Sequence, residues 1–178
     1  KFSLRSQKKT KIGGRRRGGK SEYGRQMLEK QKARYSYGVS AGQFANYVNA
    51  ALETKGDNAK NLLLALEGRL DNVVLRAGLA PSRSAARQMV SHGHIAVNGQ
   101  RVTIPSIKLG VGDKLSIREG SKNKALFAKL NEELEKTQVP AWLKVDAKER
   151  TMEIVGEPTA DKDELLFDLR AVLEFYTR

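Results

Sequence analysis

The chain has 178 residues, with 33 Lys plus Arg against 20 Asp plus Glu, a formal net charge of +13 and a sequence pI near 10.0. Such a charge calls for a polyanionic partner, and the length suffices to bury about 70% of the surface an unfolded chain exposes, which excludes a wholly disordered tail. There is no cysteine, hence no disulfide framework or thiolate zinc site, and the longest apolar run, Leu62 to Leu66, is far too short to span a bilayer, so a soluble cytoplasmic protein with no membrane partner is expected.

The charge is unevenly placed. Residues 1–34 hold 13 basic and 2 acidic side chains and residues 68–119 hold 8 and 3, whereas residues 35–67 hold 2 and 3 and residues 120–178 hold 10 and 12. A single basic run is commonly a solvated face. Two basic segments separated by near-neutral ones point instead to a nucleic-acid footprint.

Taken in order, Lys1 to Lys20 mixes Gly, Ser, Lys and Arg with almost no apolar side chains and reads as an extended basic arm ordered by its partner. From Ser21 the pattern turns helical, with Met27, Leu28, Gln31 and Tyr35 marking one face and Gly38 as the stop. Ser40 caps a second helix through Phe44, Tyr47, Val48, Ala51 and Leu52, and Asp57 caps a third through Leu62, Leu63 and Leu66. A short helix follows at Leu70, Val73, Val74 and Ala77, ended by Gly78. The next starts at Ser82, buries Ala85, Ala86, Met89 and Val90, and stops at Gly93.

Beyond Gly93 the period becomes two. Ile95 and Val97 lead into Asn98-Gly99, a strong hairpin signal, and the chain returns through Val102 and Ile104. Gly112-Asp113 turns into a strand with Leu115 and Ile117 inward. A Lys-rich helix is expected over Asn123 to Lys136, a second hairpin over Trp142 to Asp146 and Thr151 to Val155, and a last helix over Lys162 to Tyr176. The fold class is therefore α+β. A helical domain over 21–67, completed by 161–178, should enclose an inserted unit over 68–160 in which two short helices pack on a small, mainly antiparallel sheet, with 1–20 as the arm.

Gly14 to Ser21 matches the phosphate-cradling pattern G-x-x-x-x-G-K-[ST] letter for letter, yet the mechanism behind the pattern is missing. Gln7 to Ile12 cannot be the buried strand such a loop requires, so Arg15, Arg16, Arg17 and Lys20 read as phosphate contacts and no nucleotide cofactor is expected. His92 and His94 have no nearby Cys or carboxylate to complete a metal shell, and no nucleophile arrangement stands out; no metal, small-molecule substrate or enzymatic activity is expected. The strongest constellation is Arg83 to Asn98. Arg83 and Arg87 lie four apart, opposite the Ala86, Met89 and Val90 stripe, with Ser82 and Ser84 at the helix start and Asn98, Gln100 and Arg101 at the hairpin tip. On this reading, removing both arginines should weaken RNA binding and change folding by no more than about 0.5 kcal/mol. Two solvated helix charges are the alternative.

The set Arg69-Leu70-Asp71, Gly78, Ser82-Arg83, Ala86, Gly93-His94-Ile95, Val97-Asn98-Gly99, Pro105 and Gly112-Asp113 resembles the αL RNA-binding domain. That domain also occurs in pseudouridine synthases, tyrosyl-tRNA synthetases and a heat-shock protein. The flanks narrow the choice: Tyr23-Gly24, Glu29 to Lys32, Tyr37-Gly38, Gln43-Phe44, Leu66 to Val74, Pro140 to Leu143 and Val172 to Tyr176 resemble the bacterial ribosomal protein S-four family.

The resemblance implies a structural protein of the small ribosomal subunit. It would nucleate assembly on a multi-helix junction of the 16S rRNA 5′ domain, lie near the channel where mRNA enters, contribute to translational accuracy and touch ribosomal protein S-five. Arg16 and Arg17 would face the channel side. Candidate RNA-binding residues accordingly also include Arg25, Lys30, Lys32 and Arg34 in the first helix, Arg69 and Arg76 in the fourth, and Gln88, His92 and His94. Lys108, Lys114 and Arg118 extend the set along the sheet unit. The family's longer N-terminal region, with zinc-binding cysteines in many members, has no counterpart in this sequence, so no zinc is carried over. A ribosome-free RNA chaperone or translational regulator sharing the αL domain is the competing reading; an RNA-modifying enzyme would need a catalytic domain.

Overall fold

The computed structural model describes residues 21–122, 124, 127, 134, 138–146, 149–159 and 165–177. The expected basic arm and most of the expected helix at Asn123 to Lys136 lie outside the described residues.

Short polar side chains start the helices by satisfying backbone N–H groups that have no partner within the helix. Ser21 accepts from Gly24 to open α1 (Glu22–Ser36), Ser40 from Gln43 to open α2 (Ala41–Glu53), and Asp57 from Ala59 to open α3 (Asn58–Glu67). Ser82 accepts from Ala85 to open α5 (Arg83–Ser91). The short α4 (Leu70–Arg76) has no side-chain cap. A loop supplies it instead: the Leu70 and Asp71 N–H groups donate to the carbonyls of Ile107 and Pro105 at 2.9 and 3.1 Å.

Five strands form one antiparallel sheet in the order β2-β1-β3-β5-β4, where β1 is Ile95–Val97, β2 Gln100–Val102, β3 Lys114–Ile117, β4 Leu143–Asp146 and β5 Thr151–Ile154. Asn98 and Gly99 both have positive φ, 51° and 80°, the twist a two-residue hairpin loop needs. Register puts Leu115 opposite Val97 and Met152, and Ile117 opposite Ile95, so one sheet face buries against α4 and α5. Leu70, Val73, Val74, Ala86, Met89 and Val90 meet that face, and Phe127 and Leu134 join the same core.

A second core lies in the helical bundle, where Ala33, Phe44, Val48, Ala51, Leu62 and Leu66 surround Val172 of α6 (Leu169–Tyr176). The C-terminal helix thus packs in the same core as α2 and α3.

Three expectations need correction. Met27, Leu28 and Tyr35, expected on the packed face of α1, point outward at 41%, 38% and 71% exposure. The inward face is Gln26, Lys30 and Ala33, whose polar members lay their aliphatic stems against α6: Gln26 Nε2 donates to Glu174 at 3.0 Å and the Lys30 ammonium sits 4.3 Å from the Phe175 ring centre. The last helix starts at Leu169 rather than Lys162, because Asp168 accepts from the Arg170 and Ala171 N–H groups; residues 162–164 lie outside the described set, and Leu166 is 75% exposed. Ile104 is 57% exposed and outside β2, since the chain leaves the sheet after Val102 to reach the carbonyls that cap α4.

Gly68 ends α3 where two backbone segments converge. A Cβ there would stand 2.8 Å from the Leu64 carbonyl oxygen and 3.5 Å from that of Leu109. Gly68→Ala should therefore cost about 1–3 kcal/mol of stability in a denaturant melt, a strain cost rather than a propensity gain.

Candidate nucleic-acid interface

Between Asp57 and Asp113 the sequence holds only two acidic residues, Glu67 and Asp71, and the fold buries both, at 0% and 3% exposure. A buried carboxylate must be paired, and here four arginines gather around the two. Arg69, itself 2% exposed, grips Asp71 with Nε and Nη2 at 2.9 and 2.8 Å and donates from Nη1 to the Tyr47 hydroxyl at 2.6 Å. Arg87 reaches Asp71 Oδ2 with Nε and Nη2, at 3.1 and 2.8 Å, and gives Nη1 to the Gly38 carbonyl at 2.6 Å.

Around Glu67, Arg76 donates from Nε and Nη2 at 3.0 Å each, Asn72 Nδ2 at 2.7 Å and the Tyr37 hydroxyl at 2.5 Å. Arg83 completes the ring, with Nε on Asn72 Oδ1 at 3.1 Å and its guanidinium 4.8 Å from the Tyr37 ring centre. Burial would raise the Glu67 carboxyl, but the bonds from Arg76, Tyr37 and Asn72 outweigh it and hold the group below the ordinary carboxylate range. Burial first, then the neighbouring Glu67 charge, pushes the Tyr37 hydroxyl well above its ordinary value. Burial lowers Arg83.

The hub changes the reading of the α5 arginines. They do lie opposite Ala86, Met89 and Val90, all buried, but neither is a plain solvated charge. The expectation that both could be removed without cost to folding is overturned, because Arg87 shares the pairing of a buried carboxylate and Arg83 is held by two neighbours. Arg69 and Arg76 are likewise committed to Asp71 and Glu67.

Other candidate residues stand on the surface. Arg25, Arg101, Lys108 and Arg118 are exposed and have no carboxylate partner among the described residues. Lys32 pairs with Glu29 at 2.6 Å, Lys114 lies 3.9 Å from Glu153, and the Arg34 guanidinium lies 4.5 Å from the Tyr35 ring centre. Ser84, Gln88, His92 and Gln100 are exposed, while Ser82 is occupied as the cap of α5. Asn98 is held by Asp113 and by the Lys114 N–H. Arg15, Arg16, Arg17 and Lys20 lie outside the described residues.

At the far end of α5, the His92 and His94 rings are 5.9 Å apart, and His94 Nδ1 is 3.0 Å from Ser121 Oγ. Burial, with Lys124, His92, Arg118 and Arg101 adding repulsion, lowers the His94 pKa. Arg101 folds over Gly93, where a Cβ would collide with its guanidinium. The described residues contain no group of three or more His, Cys, Asp or Glu placed to hold a metal, and no helix among them is long and apolar enough to cross a membrane.

The pattern-based reading missed Tyr37, Tyr47, Glu67, Asp71 and Asn72 as the residues that hold the candidate arginines. The available signal was the pair of acids, isolated in a long basic and apolar stretch.

Two measurements test the hub. Arg87→Ala should cost about 1–3 kcal/mol in a urea melt by leaving Asp71 short of donors. Because folding depresses the Glu67 pKa, its contribution to stability is in place above the ordinary Glu value of 4.5 and disappears as pH falls below it. Glu67→Gln should therefore flatten the acid limb of a stability-against-pH curve below about pH 5; an unchanged limb would mean that other carboxylates control it.

Residues 4–67 match the family model described as Ribosomal protein S4/S9 N-terminal domain, and residues 68–115 match the S4 domain. The Small ribosomal subunit protein uS4 of Acetivibrio thermocellus is 44% identical over 158 residues, covering 89% of this chain and 76% of that protein. Its namesake in Cutibacterium acnes is 44% identical over 167 residues, 94% of this chain and 83% of the relative, and that of Chlorobaculum tepidum is 40% identical over 166 residues, 93% and 82%. With both its cores matched at this level, the chain belongs to the uS4 family of small ribosomal subunit proteins.

Proposed function

We propose that this protein is a structural, rRNA-binding constituent of the small ribosomal subunit and works in the cytoplasm. The observation that carries the reading is the extent of the match. The relatives align along 89–94% of the chain, through the helical bundle as well as the αL unit, whereas an enzyme or chaperone that borrowed the RNA-binding module would share residues 68–115 alone. The exposed cations Arg25, Arg101, Lys108 and Arg118, together with the basic arm at 1–20, support a phosphate-rich partner. Within this reading the RNA is the 16S rRNA 5′ domain, bound at a multi-helix junction early in assembly. The protein lies near the channel where mRNA enters, the bundle meets ribosomal protein S-five, and the protein contributes to translational accuracy. The reading assigns no reaction to the chain.

Sucrose-gradient fractionation should place the protein in stoichiometric amounts with small subunits; a ribosome-free distribution would favour a regulator or chaperone. Binding to the isolated rRNA junction should weaken steeply with salt. For roughly 6–10 neutralised phosphates, ~10³–10⁵ of affinity is lost between about 50 and 200 mM salt on duplex-DNA calibration. Deleting residues 1–20 should reduce that slope while leaving thermal unfolding nearly unchanged. A flat salt response would remove the electrostatic basis of the proposal.

A further inference from the structure

Glu67 and Asp71 cannot attract a phosphate, yet they sit at the seam between two bodies that each carry candidate RNA-binding cations. Arg25 lies on α1 of the bundle; Arg101 and Arg118 lie on the sheet unit. Besides the covalent connections, polar bonds tie the bodies across this seam. Arg76 and Asn72 of the αL unit reach Glu67 at the end of α3, Arg87 reaches the Gly38 carbonyl, and Arg69 reaches Tyr47 of α2. These bonds depend on the two acids, because Asp71 orients the Arg69 and Arg87 forks and Glu67 receives the rest.

A folded RNA presents its phosphates in a fixed array, so a protein whose two cation sets are already held in register avoids the ordering cost of binding. We propose that Glu67 and Asp71 are positioning residues for RNA binding: by anchoring the arginine hub they hold bundle and sheet unit in the single mutual orientation the RNA requires. The proposal rests on the rRNA-binding function proposed above and adds two residues that touch no RNA.

It makes a prediction opposite in sign to simple electrostatics. Asp71→Asn removes a negative charge, so bulk attraction alone would tighten RNA binding, whereas loss of orientation weakens it. If the docked arrangement falls to about a tenth of the free population, apparent affinity falls about tenfold.

The chain has no cysteine, so Ala50→Cys on α2 and Val155→Cys beyond β5, both at exposed positions, can carry a spin-label pair in the 178-residue chain. The expected result is that Asp71→Asn binds a 16S rRNA 5′-domain fragment about tenfold more weakly, with an interspin distance distribution that is broad in the free protein and narrows to that of the parent when RNA saturates it. Unchanged or tighter binding, or weaker binding with a distribution as narrow as the parent's, overturns the proposal. Should Asp71→Asn fail to fold, Tyr47→Phe, which removes one cross-seam acceptor without changing charge, carries the same two readouts. A parent protein that does not bind the fragment overturns the functional reading itself; a binding parent with an unaffected variant overturns only the role of the hub.

Discussion

Two carboxylates withdrawn from water within one turn of chain dictate much of this structure. A buried acid without donors would cost several kcal/mol, so Glu67 and Asp71 gather guanidinium groups, and these bonds reach across to Gly38 and Tyr47 of the neighbouring elements. Arginine suits the task where lysine would not. Its planar fork lets Arg69 bind both oxygens of Asp71 and still present a third donor to Tyr47. Buried ion pairs of this kind add little net stability compared with an apolar seam, and on the proposal made above their value is the orientation they hold.

The hub also divides the cations into two populations. Arg69, Arg76, Arg83 and Arg87 are engaged internally, whereas Arg25, Arg101, Lys108 and Arg118 face solvent without a carboxylate partner among the described residues. The 8 basic side chains of residues 68–119 therefore overstate what this stretch offers to a ligand on its outer surface, since half of them serve the hub. A basic stretch of sequence can serve the inside of a protein as well as its partner.

Much of the fold was legible because it is local. Ser40, Asp57 and Ser82 cap helices by bonds to residues two or three positions away, and Asn98-Gly99 makes its turn through its own backbone. The face of α1 was not legible, since its inward positions are Gln26 and Lys30, which pack through their stems and look solvent-exposed by residue type. The apolar period also places the start of α6 too early, since Leu165 and Leu166 continue it while nothing in it reveals that Asp168 takes the first free N–H groups. At the candidate interface, residue type and spacing mark the arginines but not their partners. Whether Arg87 meets water or Asp71 depends on how two distant helices dock, and only the isolation of the two acids hinted at it.

The Asn98-Gly99 turn carries a consequence for the chemical ageing of the protein. An asparagine followed by glycine is prone to deamidation, because the next backbone nitrogen meets little steric resistance in attacking the side-chain carbonyl. In the folded chain both ends of the Asn98 amide are tied down: Nδ2 donates to Asp113 at 2.8 Å and Oδ1 accepts from the Lys114 N–H at 2.9 Å. The bonds that hold the hairpin against β3 thus restrain the carboxamide from the geometry that ring closure needs. A deamidated side chain would set a second carboxylate against Asp113 in place of a donor, so the native fold both slows the damage and is weakened locally once it occurs.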